Sequence, residues 1–116
     1  MILRSKTIDI PIYGGKLSFY YDSNLTPIKE QYNLDINLDN YDAFVFSDNS
    51  KDEFIICFSE YKFSTAVHEI IHVVNDIFKS RNIELDLDND EPQAYLAGWV
   101  AKELNTFMNE FLRSTI

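Results

Sequence analysis

Residues 64–78 read STAVHEIIHVVNDIF, and the period of this stretch decides the second half of the fold. Val67, Ile70, Ile71, Val74, Ile77 and Phe78 recur at three- and four-residue intervals, which collects apolar side chains on one face of an α-helix. Ser64 and Thr65 both suit its N-cap, and the helix is expected to end near Arg81-Asn82. His68 and His72 stand one turn apart on the same side, so both rings can turn a nitrogen toward one ion. Glu69 is rotated about 100° from His68 and is poorly placed to join them as a ligand. It is placed instead to reach a water on such an ion, as a general base must. Ile70 and Ile71 are expected to face the core and hold the helix still. The plainer alternative is a pair of helix histidines beside a surface glutamate with no metal at all. Two imidazoles stacked on one face repel when protonated, and the chain has no other histidine, so the metal reading is preferred.

A catalytic zinc ion usually has three protein donors and a water. Histidine is exhausted and Cys57 lies in an apolar run, so the third donor should be a carboxylate. Glu91 is the first choice. It follows His72 by nineteen residues and opens a second helix that begins about Asp90 and tolerates Pro92 in its first turn. Leu96, Trp99, Val100, Leu104, Phe107, Met108 and Phe111 give that helix its apolar face. A tight antiparallel helix pair would bring the first turn back toward His72, with Ala94, Gly98 and Ala101 permitting close approach. Asp90 is the rival donor; Asp86 and Asp88 sit on the acidic loop 84–89 and would be held less rigidly. Without a metal, Glu91 would simply favour the helix dipole. Tyr95, one turn beyond Glu91, is a candidate donor to a developing oxyanion or to the Glu91 carboxylate, against the alternative of a core aromatic with a wet hydroxyl. Asp76, one turn beyond His72, reads either as an acceptor that orients a ligand or as a solvated surface residue. Trp99 is expected to pack.

Before this helix pair the pattern is that of strands. Ile8, Ile10 and Ile12 alternate over 7–12, with Pro11 marking an edge strand. Gly14-Gly15 supplies a turn, and Leu17, Phe19 and Tyr21 alternate over 16–21, completing a hairpin. Thr26-Pro27 can open a short helix to about Tyr32, followed by an Asn- and Asp-rich loop over 33–42. Residues 43–46 and 53–58 are two further strands around an Asp48-Asn49-Ser50 turn. The unbroken apolar run Phe54-Ile55-Ile56-Cys57-Phe58 predicts burial on both faces, with Cys57 in the core. The expected class is α+β: an antiparallel sheet of about four strands packed on two C-terminal helices. It forms one domain over 1–116, strand-rich through 61 and with the helix pair over 64–112.

Composition narrows the function. A formal charge of −9 and a pI near 4.5 argue against a basic surface for nucleic acid, although an acidic chain can imitate DNA toward a DNA-binding enzyme. A single cysteine allows no intrachain disulfide. The first fifteen residues do not read as a signal peptide, and no stretch approaches the roughly 20 apolar residues of a membrane span. The expectation is a soluble cytoplasmic protein.

His68-Glu69-Ile70-Ile71-His72, followed by Glu91 heading a helix, resembles the gluzincin branch of the zinc metallopeptidases. The likeness is greatest to the minimal single-domain members from bacterial and phage genomes. The stretch Asp90-Glu91-Pro92-Gln93-Ala94-Tyr95-Leu96-Ala97-Gly98-Trp99 is similar to their glutamate helix. The resemblance covers roughly residues 64–112. It implies a zincin-like core, Zn2+ held by His68, His72 and Glu91, and peptide hydrolysis with Glu69 as general base. It also implies a protein substrate that adds as a strand to a sheet edge beside the metal helix. By position that edge is the strand 53–60, which sits awkwardly with its apolar run. For a phage-encoded protein the compartment would be the host cytoplasm. The chain departs from metzincins, since Asn75 stands where their glycine falls and no third histidine follows. It also has no residues for the second subdomain of full-length gluzincins. A one-walled site leaves room for a homodimer, a partner or a folded target. The alternative functions are a non-catalytic acidic binding or inhibitor protein of the phage anti-defence kind that retains the fold, and a structural metal site that staples two helices.

Overall fold

The computed structural model describes residues 4–37 and 41–114, the side chains of 111–114 apart. Residues 38–40 of the expected loop, and the Phe111 side chain expected on the second helix, therefore lie outside the described residues. The architecture is α+β, with strands β1 (Arg4–Asp9), β2 (Lys16–Tyr21), β3 (Ala43–Asp48) and β4 (Glu53–Phe58). Helix α1 (Thr26–Gln31) lies between β2 and β3, and α2 (Phe63–Ser80) and α3 (Glu91–Ser114) follow the sheet.

The sheet is mixed rather than antiparallel throughout. Its order is β1-β2-β4-β3, and the central pair β2–β4 runs parallel, with Leu17 opposite Phe54 and Phe19 opposite Ile56. After β2 the chain crosses one face of the sheet as α1, returns as β3 on the outside, and β4 then fills the place between β2 and β3. Parallel neighbours need such a crossover and are normally covered on both faces. That accounts for the apolar run of β4. Phe54, Ile56 and Phe58 join Ile70, Val74 and Leu104 on the α2/α3 face, while Ile55 and Cys57 pack with Leu25 and Ile28 on the α1 face. Placing the substrate edge at 53–60 is thereby corrected: β4 is paired on both sides, and the edge next to it is β3.

The β1–β2 hairpin forms, but its first strand ends at Asp9, three residues before the isoleucine alternation ends at Ile12. Ile8 and Ile10 face the core, but Pro11 and Ile12 belong to the turn, and Ile12 is held at φ 67° with its side chain in solvent. Such a backbone conformation is uncommon for a β-branched residue. Here the Tyr13 amide bonds the Pro11 carbonyl at 2.6 Å across a three-residue turn.

Helix α2 begins one residue before the expected caps, with Lys62 at the N-cap and no side-chain hydrogen bond there. Its other end is closed by Asn82 at φ 57°. The Asn82 amide bonds the Lys79 carbonyl at 3.1 Å and the Ile83 amide bonds the Phe78 carbonyl at 2.9 Å. This is the Schellman arrangement, with asparagine in the left-handed position and the apolar Ile83 packed back on the core. The buried stripe of α2 consists of Ala66, Ile70, Val73, Val74, Ile77 and Phe78. Val67 and Ile71 are 44% and 45% exposed, so the expectation that Ile71 faces the core does not hold. At about 100° per residue these two lie to one side of the stripe that the sheet covers.

On α3 the buried side runs through Leu96, Val100, Leu104, Phe107 and Met108, with Ala97 and Trp99 partly buried beside it. Ala94, Gly98 and Ala101 are exposed, and a Cβ added at Gly98 would meet nothing within 4 Å. The small residues thus line the solvent side of α3 and do not form the contact with α2.

Candidate metal centre

Helix α2 lies against the edge strand β3 and carries His68, Glu69, His72 and Asp76 along one flank. These four side chains line a cavity of about 500 Å³ whose opposite wall includes Ala43, Phe44 and Val45 of β3. A second hollow of about 410 Å³, lined by Asp42, Ser64, Thr65 and His68, shares Tyr41 and Ala43 with the first. Together they make a cleft along α2.

Both histidines are exposed, and their Nε2 atoms approach to 3.1 Å with the rings tilted by 73°. Two nitrogens bound to one tetrahedral zinc ion at about 2.05 Å lie about 3.3 Å apart. The observed separation is close to that value, so the pair fits a shared ion with little side-chain movement. The four-residue spacing on a helix anchored by Ile70, Val73 and Val74 produces this convergence.

Glu69 is 7% exposed, yet its carboxylate finds no hydrogen-bond donor among the described residues. Burial raises its pKa above the ordinary 4.5, and the nearby His68 and His72 partly offset the rise. Its oxygens keep some contact with solvent, since Asp22 Oδ2 is the fully buried side-chain oxygen without a partner among the described residues, but partial desolvation still penalises the ionised form, and such groups concentrate where chemistry is done. Asp76 is half-buried and raised by the same desolvation, offset in part by His72 and Lys79. Cys57 is fully buried and donates to the Phe44 carbonyl at 3.4 Å; burial pushes its thiol well up, so it is not a ligand.

Two residues singled out from the sequence are not brought to this cleft. Among the described residues no three His, Cys, Asp or Glu side chains converge to hold a metal, so Glu91 does not complete a triad with His68 and His72. The reason is helical phase. Gln93, whose amide reaches Asn75 Oδ1 at 3.4 Å, marks the side of α3 turned toward α2. Glu91 precedes it by two residues, about 200° around the helix, and shares the solvent side with Ala94 and Gly98. The inference that small residues face α2 carried Glu91 inward with them. Tyr95 is 76% exposed and lines a separate apolar recess with Pro11, Ile12, Leu96 and Trp99. The rival Asp90 and the loop residues Asp86 and Asp88 are exposed as well. Asp76, read from the sequence as an orienting or a surface residue, lines the cavity that holds His68, Glu69 and His72. Its position one turn after His72 was the available signal.

Comparison with protein-family models, with curated proteins and with solved structures finds no match. The functional reading therefore stands on the geometry of α2 and its cleft.

Proposed function

We propose that this protein is a small zinc-dependent metallopeptidase in which His68 and His72 supply two imidazole donors and Glu69 is the general base. The observation that carries the reading is Glu69 itself. It is a buried carboxylate without a hydrogen-bond donor among the described residues, opening on the same cavity as two imidazole nitrogens 3.1 Å apart. A bound zinc ion would acidify a water and polarise the substrate carbonyl. Glu69, raised by burial, accepts the proton of the attacking water and returns it to the leaving amine. The unpaired side of β3 offers backbone groups to an extended segment, which would add as a fifth strand beside α2. Two imidazoles and an oxygen donor suit zinc, but two protein donors hold it less tightly than three. Bringing in Glu91 would require the first turn of α3 to rotate toward α2.

That incomplete donor set, with the charge of −9, favours one second reading: an acidic binding protein that keeps the fold without the chemistry. Both readings place the protein in the cytoplasm, and among the described residues no helix is long and apolar enough to cross a membrane. The test is zinc content by elemental analysis of untagged protein, followed by peptide cleavage with wild type and Glu69→Gln. Bound zinc with turnover lost in Glu69→Gln is expected. Cleavage that survives the substitution overturns the base assignment, and protein that never takes up zinc leaves the binding reading.

A further inference from the structure

We propose that the cleft between α2 and β3 takes an extended peptide bearing a lysine or arginine, and that Asp76 receives the cation. This deepens the reading of the site given above and depends on it. Asp76 lines the cavity that also holds Glu69 and His72, and its carboxylate bonds no donor among the described residues. Lys79, one turn on, acts on it without closing an ion pair. Glu69, only 7% exposed and equally without a donor among the described residues, opens on the same space, so this wall of the cleft presents two carboxylates that a cationic ligand can meet. Among the described residues no lysine or arginine lines either hollow, and the carboxylates there are Asp42, Glu69 and Asp76. Asp42 is already engaged by Lys62 at 3.5 Å, which leaves Asp76 as the carboxylate available to a ligand once Glu69 serves as base.

The rest of the lining selects among cations. Ile36 and Val45 add apolar lining to the cavity that Asp76 also lines, Val45 from the face of β3 turned toward α2. A lysine or arginine side chain matches that pairing, with an apolar stem and a charged tip. A leucine would cover Asp76 and leave it unpaired, and a glutamate would meet like charge. Along the helix axis Asp76 stands about 9 Å beyond the midpoint of the two histidines, at about 1.5 Å per residue. An extended chain advances about 3.4 Å per residue, so the cation belongs two or three residues from the bond that is cut.

The test uses Glu69→Gln protein and three fluorescein-labelled alanine octapeptides that differ only in a central Lys-Lys, Gln-Gln or Glu-Glu pair. Fluorescence anisotropy at fixed salt should show the lysine peptide binding about tenfold more tightly than the glutamine peptide, as a charge-assisted hydrogen bond supplies. Adding Asp76→Asn should erase the difference with zinc content unchanged. Asp76→Glu should keep it, and so should Asp88→Asn, which removes the same charge from an exposed loop. Equal binding of the lysine and glutamine peptides overturns the proposal, as does a preference that survives Asp76→Asn. Loss of zinc in Asp76→Asn would also overturn it, by making Asp76 a positioning residue for His72. Selective lysine binding by a protein that cuts no peptide when loaded with zinc would keep the subsite and remove the hydrolytic reading.

Discussion

Arg81 and Asp52 are joined by two parallel hydrogen bonds, Nη1 to Oδ1 at 2.8 Å and Nη2 to Oδ2 at 2.9 Å. The same guanidinium donates to the carbonyls of Tyr13 and Gly14 and lies over the Phe54 ring. One side chain at the end of α2 thus fastens the helix to the β1–β2 turn and to the β3–β4 turn. Because His68, Glu69 and His72 belong to that helix, the clamp helps fix the heading of the candidate site over the sheet.

Arg81→Ala should lower stability by about 1–2 kcal/mol, since the guanidinium is largely covered and its pairing is bidentate. Urea unfolding followed by circular dichroism measures this. A midpoint unchanged within error would show that solvent replaces the clamp without cost. Gly15→Ala should act on the same junction. Its φ is 87°, and an added Cβ would stand 2.8 Å from both Arg81 Nη2 and the Asp52 carbonyl, so the substitution must strain the turn or push the clamp open.

Glu69 gives a pH dependence with a definite sign. Its folded pKa is raised above the ordinary 4.5, so the folded state binds its proton more tightly than the unfolded chain does. Its favourable contribution is complete below about 4.5 and is lost as pH rises through the folded value. In chelator-treated protein, Glu69→Gln should therefore match wild type in acid and become the more stable form toward neutral pH. Melting temperatures of the two proteins between pH 4 and 8 decide it. A constant offset across that range would mean that the carboxylate is effectively solvated.

Zinc should stabilise the folded chain through the imidazole pair. At about one hundred times the dissociation constant the gain is about 2.7 kcal/mol, visible as a higher melting temperature. His68→Ala and His72→Ala should each abolish the rise, because either change leaves one imidazole donor on α2. A rise that persists in both variants would place the ion elsewhere.

Glu91→Gln distinguishes the described position of α3 from a rotated one. With Glu91 on the solvent side, zinc affinity should stay within about threefold of wild type by competition with a chelating dye. A loss of tenfold or more, comparable to removing an outer-shell partner or worse, would show the first turn of α3 swinging inward when the metal binds.

Much of the fold was legible because local pattern and local structure agree. The alternation over Leu17–Phe19, the unbroken apolar run Phe54–Phe58, the turn glycines and the helical period of α2 each specify an element by contacts within reach of the chain itself. The pairing of β2 with β4 was not legible. Their parallel contact joins segments more than thirty residues apart; the apolar run of β4 signals cover on both faces but does not name the strand that lies beside it. At Ile12 the alternation continued past the point where the hairpin turned, because an apolar residue placed in a turn looks the same as one placed in a strand.

The sequence by itself determined that two imidazoles share one helix face with a glutamate beside them, since a four-residue spacing on a helix fixes that relation whatever surrounds it. Only the tertiary structure decided which acids join them. That choice depends on how α3 is rotated about its own axis, which its full set of core contacts sets through Leu96, Val100 and Leu104, and the same rotation that buries those residues turns Glu91 to solvent. It also depends on which strand α2 covers, and the crossover that places β3 at the sheet edge opens the cleft onto Asp76.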